Sequence, residues 1–209
     1  MVSTLGFASS RLLPVVRRRA PQRLVVFYDM HEKSGLAYED VKAYCRSVGL
    51  RLDGHRVDAF AIVPSINRIR QEIRRAPRHE VLVAATGGTT ILSCAALFAS
   101  LFEGVRAVYL RERSNEEVDM PLLHIEFEAT LSGPKRAIIK ALIDAGGTAS
   151  ASFLAKKLSK TKATISYHVR DLVKQGIIAE EIRASDRRQH ALTLTDGWAM
   201  LWGPDGKQS

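Results

Sequence analysis

At 209 residues the chain exceeds the commonest single-domain size and suits two small domains, each able to bury a core. Its 46% hydrophobic and 25% charged residues are ordinary for a soluble protein, and its two cysteines, Cys45 and Cys94, exclude a disulfide framework and lack metal-ligand spacing. Net charge is +9, which favours a polyanionic partner, and it is uneven: Gly133 onward carries 13 Lys and Arg against 7 Asp and Glu, the first 132 residues 18 against 15.

Val2-Ser3-Thr4-Leu5-Gly6-Phe7 reads as a first strand, without the basic-then-apolar layout of a signal peptide. Helical spacing begins near Arg11, with Leu12, Leu13, Val15 and Val16 ahead of Arg17-Arg18-Arg19. Ser9 or Ser10 is placed to cap that helix, and Pro14 falls in its first turn. The arginine run suits the helix's negative end and reads as a solvated terminus. After Pro21, Arg23–Tyr28 is a second strand, Tyr38–Val48 a second helix and Leu50–Val57 a third strand. Pro64–Arg75 is an amphipathic helix with Ile66, Ile69 and Ile73 inward and its arginines on a solvated face.

Val81–Ala85 is a short apolar run, as expected of a parallel strand covered on both faces. Thr86-Gly87-Gly88-Thr89-Thr90 follows at once, ahead of the helical segment Ile91–Ser100. Adjacent glycines permit close backbone approach, and the threonine hydroxyls fall where a new helix has unpaired N–H groups and a positive dipole end. This is the pattern of a site for a phosphate-bearing ligand. Val105–Leu110 is a fifth strand and Leu122–Phe127 a sixth. Alternating strands and helices predict an α/β, Rossmann-like, doubly wound and mostly parallel sheet. Ligands of such sheets bind at strand carboxyl ends where the strand order reverses, so the loop Gly6–Arg11 and the loop Thr86–Thr90 are expected to wall one cleft. Neither G-x-G-x-x-G after strand one nor G-x-x-x-x-G-K-[ST] is present, which disfavours a standard dinucleotide dehydrogenase or nucleotide triphosphatase.

Ser132-Gly133-Pro134 reads as the hinge between a sheet domain, 1–131, and a second domain, 132–209. Lys135–Ala145 is helical, with Ile138, Ile139, Leu142 and Ile143 on its apolar side, and Gly146-Gly147 stops it. A short helix near Ser150–Leu158 turns Phe153, Leu154 and Leu158 inward. Thr161 caps a third helix from Lys162 to Gln175, whose Ile165, Val169, Leu172 and Val173 make one buried stripe. Two strand-like segments, Ile177–Arg183 and Gln189–Leu194, flank a polar tip, and a final helical piece holds Trp198, Leu201 and Trp202. Helix, helix–turn–helix, two-stranded wing predicts a C-terminal winged helix-turn-helix.

Six basic residues and one acid, Asp171, lie between Lys156 and Lys174. Lys162, Thr164, Ser166, Tyr167 and Arg170 fall on or beside the exposed face of the third helix, where recognition helices read the major groove of double-stranded DNA. Lys156, Lys157, Lys160 and Lys174 are placed for phosphates, and Arg187 and Arg188 at the wing tip for a neighbouring groove. His168 reads as a packing residue, and the six histidines form no metal constellation. The longest apolar segment, Ile91–Phe102, is too short to span a bilayer, so the expectation is a cytoplasmic protein with no membrane partner and no metal.

Thr4-Leu5-Gly6-Phe7 and Thr86-Gly87-Gly88-Thr89, joined to a winged helix, resemble the CARF-domain transcription regulators, the CRISPR-associated Rossmann-fold regulators typical of archaea. The resemblance spans essentially the whole chain. It implies a homodimer whose sheet domains share one pocket on the two-fold axis, and an effector that is a cyclic oligoadenylate, foremost the tetra-adenylate, rather than a cofactor. On this chain the implied ligand loops are Gly6, Phe7, Ala8, Ser9, Ser10 and Arg11 with Thr86, Gly87, Gly88, Thr89 and Thr90. Thr90 stands where family members often have Lys or Arg, and Ala84 where they often have Asn or Asp. The expectation is a ligand-responsive regulator of CRISPR-Cas genes and not an enzyme. The alternatives are a ring nuclease opening the cyclic ligand, or a winged-helix regulator sensing another phosphate-containing metabolite.

Overall fold

The computed structural model describes residues 1–111, 116–120, 131–182, 190–195 and 197–198. Two compact units divide the chain, Met1–Ile125 and Glu126–Ser209. Leu131, placed by sequence at the end of the first domain, is buried in the core of the second unit.

The first unit is a six-stranded sheet in the order β3-β2-β1-β4-β5-β6. Its strands are β1 (Val2–Leu5), β2 (Arg23–Asp29), β3 (Arg51–Val57), β4 (Leu82–Ala85), β5 (Arg106–Leu110) and β6 (Glu117–Asp119). β1 to β5 are mutually parallel, with Thr4 opposite Phe27 on one side and Ala85 on the other. β6 runs antiparallel on β5. The sixth strand expected at Leu122–Phe127 lies outside the described residues.

The helices are α1 (Leu12–Arg19), α2 (Glu32–Ser47), α3 (Ile62–Ile73) and α4 (Thr90–Glu103). α1 and α2 bury one face, where Leu12, Val16, Ala37, Val41 and Cys45 meet Leu5, Leu24 and Val26. Side chains alternate along a strand, so Phe27 turns to the opposite face. There its ring stacks on His55, whose Nε2 lies 3.0 Å from Glu72 of α3. Ile66, Ile69 and Ile73 are buried as their spacing predicts. This is the doubly wound arrangement.

Two expectations about arginines are corrected. Arg18 and Arg19, at the end of α1, grip the carboxylate of Glu117 and so tie α1 to the edge strand. Arg70 of α3 and Arg74, the residue that follows that helix, close on Glu103 of α4 at 2.7 and 2.9 Å. Burial pushes the Glu103 carboxyl up, but hydrogen bonds and charge from Arg74 and Arg70 outweigh it and hold the group below its ordinary range.

The second unit contains α5 (Gly133–Asp144), β7 (Thr148–Ser150), α6 (Ala151–Lys157), α7 (Lys162–Lys174), β8 (Ile178–Ile182) and β9 (His190–Leu194). β9 pairs antiparallel with β8 and with β7, a three-residue strand that its polar sequence does not announce. Ile138, Ile139, Leu142, Leu154, Ile165, Val169 and Leu172 form the core with Ile178 and Leu192. Phe153, expected inward, is 46% exposed instead. α6 starts directly after Ser150, which caps it through the Phe153 N–H, so position 153 falls in the first turn on the outer side.

Candidate functional site

Strand order reverses between β1 and β4, and both loops expected to hold a ligand leave the sheet at that point. β1 stops at Leu5, short of the predicted Phe7, because Gly6 turns out of the sheet against the β4 loop. A Cβ on Gly6 would lie 2.7 Å from the Gly88 nitrogen, and one on Gly87 3.1 Å from the Gly6 nitrogen. Gly88 has φ +103°, a conformation that favours glycine. The three glycines therefore let two loop backbones touch.

Neither Ser9 nor Ser10 caps α1. The chain makes a 3-10 turn at Ser9–Arg11 with no side-chain cap, and Ser9 Oγ donates to Asp40 at 3.0 Å. Arg11 donates to the Leu110 carbonyl at the end of β5, 3.0 Å away, so its guanidinium ties the turn after β1 to β5. Phe7 is 62% exposed and its ring rests on that of His31, with centroids 5.0 Å apart.

The threonines divide by role. Thr86 is buried, and its hydroxyl donates to the Thr4 carbonyl at 2.7 Å. Beside it Ser3 Oγ donates to Ala84 at 2.8 Å, so hydroxyls lace β1 to β4 just below the glycines. Thr89 is the N-cap of α4, accepting from Leu92 N–H at 3.0 Å and donating to the Ala59 carbonyl at 2.9 Å. Both hydroxyl protons are thus committed within the protein, and each oxygen keeps only acceptor capacity for a ligand. Thr90 is exposed in the first turn of α4, where helix N–H groups have no carbonyl of their own helix to bond. What this corner offers an anion is the dipole end of α4, its first-turn amides other than that of Leu92, and the Thr90 hydroxyl.

The bond from Thr89 to Ala59 brings in a third loop, Asp58–Ala61 after β3, which sequence reading missed. Its one local signal is an aspartate two residues ahead of Phe60, whose N–H the Asp58 carboxylate accepts at 2.9 Å.

In the second unit, Thr161 caps α7 by accepting from Thr164 N–H at 3.1 Å. Lys162, Ser166, Tyr167, Arg170 and Lys174 are exposed along α7, with Lys156 and Lys160 exposed just ahead of it. Thr164 is half-buried and its hydroxyl pairs with that of Thr161 at 2.9 Å, so it is less available than its neighbours. The acid of this stretch, Asp171, is bonded to Lys135 of α5, and that ammonium holds its carboxyl below the ordinary range. The face keeps its positive sign. His168 is half-buried with its ring edge-on to Tyr167. Arg187 and Arg188 lie outside the described residues.

Comparison with known proteins divides the chain at the same place. Residues 1–121 match the Csa3 CRISPR-associated Rossmann-like domain, and residues 130–189 match the MarR family. Among solved structures, reduced AbfR bound to DNA is 19% identical, covering 36% of this chain and 55% of that one at a TM-score of 0.34. BpsR of Bordetella bronchiseptica is 27% identical, covering 35% and 56% at 0.32. The S. aureus MepR–DNA complex is 22% identical, covering 36% and 62% at 0.32. The chain thus spans little more than half the length of these structures. No curated protein matches it.

Proposed function

We propose a function from one premise: this chain belongs to the Csa3 CRISPR-associated Rossmann-like domain family, and a MarR-family winged helix follows in the same polypeptide. It is a DNA-binding regulator of CRISPR genes whose sheet unit senses a cyclic oligoadenylate, foremost cyclic tetra-adenylate. It acts as a homodimer, because a two-fold cyclic ligand presents equal halves to identical loops. Effector binding would bias the dimer between arrangements that differ in affinity for DNA.

One observation carries the ligand reading. Gly6 and Gly88 meet at the strand-order reversal and bring both loops together at the N-terminus of α4, where phosphate is favoured. Binding rather than cleavage is favoured by the commitments of the nearby groups. Thr86 and Thr89 donate within the protein, and Arg11 is anchored on the Leu110 carbonyl.

The test is calorimetry of the full chain with cyclic tetra-adenylate, followed by a mobility-shift assay on promoter DNA with and without it. The reading requires saturable binding of intact ligand and a changed DNA affinity. Binding without effect on DNA would remove the regulation. Conversion of labelled ligand to linear products would favour the ring nuclease, and preference for another nucleotide would favour a different effector.

A further inference from the structure

Large apolar side chains stand in water at the carboxyl edge of the first unit's sheet. Phe7 follows β1, Met30 follows β2 and Phe60 follows β3, and they are 62%, 58% and 68% exposed. Single exposed apolar residues need no explanation. Phe60 differs in how its loop is held. Phe60 N–H donates to the Asp58 carboxylate at 2.9 Å, and Ala61 N–H and Ser65 Oγ donate to the Asp58 carbonyl at 3.1 and 3.3 Å. Immediately before Phe60 in the chain, the Ala59 carbonyl accepts from Thr89 Oγ1 at 2.9 Å. The backbone is pinned on both sides of a ring that stays in solvent, and one pin is the residue that caps α4.

We propose that Phe60 is a stacking platform for an adenine of the nucleotide whose phosphate sits at the α4 N-terminus, an assignment that rests on the ligand reading above. Every nucleobase offers a π face, and an exposed aromatic ring beside a phosphate-binding element is the common way to take it. A backbone fixed in advance leaves only the side-chain torsions of Phe60 to be ordered when the base arrives, so more of the contact goes into affinity. The Thr89–Ala59 bond couples the two halves of the site, because the residue that orients the phosphate-facing helix also positions the platform. Phe7 would then be one wall and Phe60 the other, from loops that meet the same corner.

The test compares wild type, Phe60→Ala and Phe60→Trp by calorimetry with cyclic tetra-adenylate, with sedimentation velocity of each protein free of ligand. Phe60→Ala is expected to weaken binding about tenfold or more, the loss typical of one stacked base. Phe60→Trp is expected to keep the affinity and to show indole emission quenched on saturation. Since the ring is exposed, both variants are expected to melt with wild type, and Phe60→Trp keeps the test open if the alanine variant does not fold. Undiminished binding by Phe60→Ala, or no quenching in Phe60→Trp, overturns the platform while leaving the ligand reading intact. A Phe60→Ala protein that falls apart to monomers without ligand overturns it in favour of a contact between copies. A wild type that binds no cyclic tetra-adenylate removes the ligand reading and the platform with it.

Discussion

Gly6 and Gly88 are in backbone contact across the switch point: a methyl group added at Gly6 would sit 2.7 Å from the Gly88 nitrogen. No flexible side-chain end is there to yield, so the loops themselves must part. Gly6→Ala is expected to cost about 1–3 kcal/mol, as overpacking does, and to abolish the effector response. Gly88→Ala adds a strained φ to a contact 3.2 Å from Leu92, with the same outcome. Gly35 is the control, since it lies inside α2 with nothing within 4 Å of its added methyl. Gly35→Ala is expected to raise stability by about 0.5–1 kcal/mol. Urea unfolding of the three variants checks the contrast.

The threonines of the same turn should separate by what they hold. Thr86→Val leaves the buried Thr4 carbonyl without that donor and is expected to cost about 1–3 kcal/mol. Thr89→Ala loses the cap of α4 and the tie to Ala59, at about 0.5–2 kcal/mol for the cap alone. Thr90→Ala, at an exposed helical position, is expected to leave the melting temperature alone. It should weaken cyclic tetra-adenylate by about threefold to tenfold, the worth of one hydrogen bond. A Thr90→Ala protein with full affinity would move the phosphate away from this turn.

Much of this architecture was legible because burial leaves a periodic trace. The apolar strands, the isoleucine stripe of α3 and the Ile165-Val169-Leu172 stripe of α7 all follow from spacing. Short polar strands leave no such trace. β6, Glu117-Val118-Asp119, exists because β5 offers an edge and Arg18 and Arg19 hold Glu117 there. The first six residues of α2 were missed because their cap is His31, whose ring accepts from Lys33 N–H, rather than a usual capping residue. At the site, residue types could be read but partners could not. Thr86 bonds Thr4, 82 residues away, and Thr89 bonds Ala59, 30 residues away. Only the crossover connections bring those carbonyls to the turn.

Acid should loosen the first unit in two stages. Burial holds the His55 imidazole below its ordinary 6.5, against the pull of Glu72 and with the help of Arg68 and Arg75. Between the ordinary value and the depressed one, the unfolded chain takes up a proton that the fold refuses. Stability from this group is therefore present above about pH 6.5 and lost as pH falls below it. Glu103, held below its ordinary 4.5 by Arg74 and Arg70 despite burial, adds a second loss further down, as pH falls through its folded value. Denaturant unfolding at pH 8 and pH 5.5 should show the first loss. His55→Phe, which keeps the stack on Phe27, should flatten that slope and leave the second stage in place.

Positioning and reading should come apart on the winged helix. Lys156 and Lys160 precede α7 and are placed for phosphates, so alanine at either should weaken all DNA sequences alike. Each should also lower the slope of log affinity against log salt by about 0.9, the counterion released per lost phosphate contact. Lys162 and Arg170 lie along the exposed face of α7, so alanine there should cost about 1–3 kcal/mol on a specific site and relax base preference. Asp171 supplies the internal check. It lies beside this face but is bonded to Lys135, and Asp171→Asn would release that ammonium. If the face binds DNA through its field, Asp171→Asn should bind non-specific DNA at least as tightly as wild type, with no loss of salt slope. A weaker Asp171→Asn protein would mean that the Lys135 bond orients α7, and that geometry rather than charge limits binding.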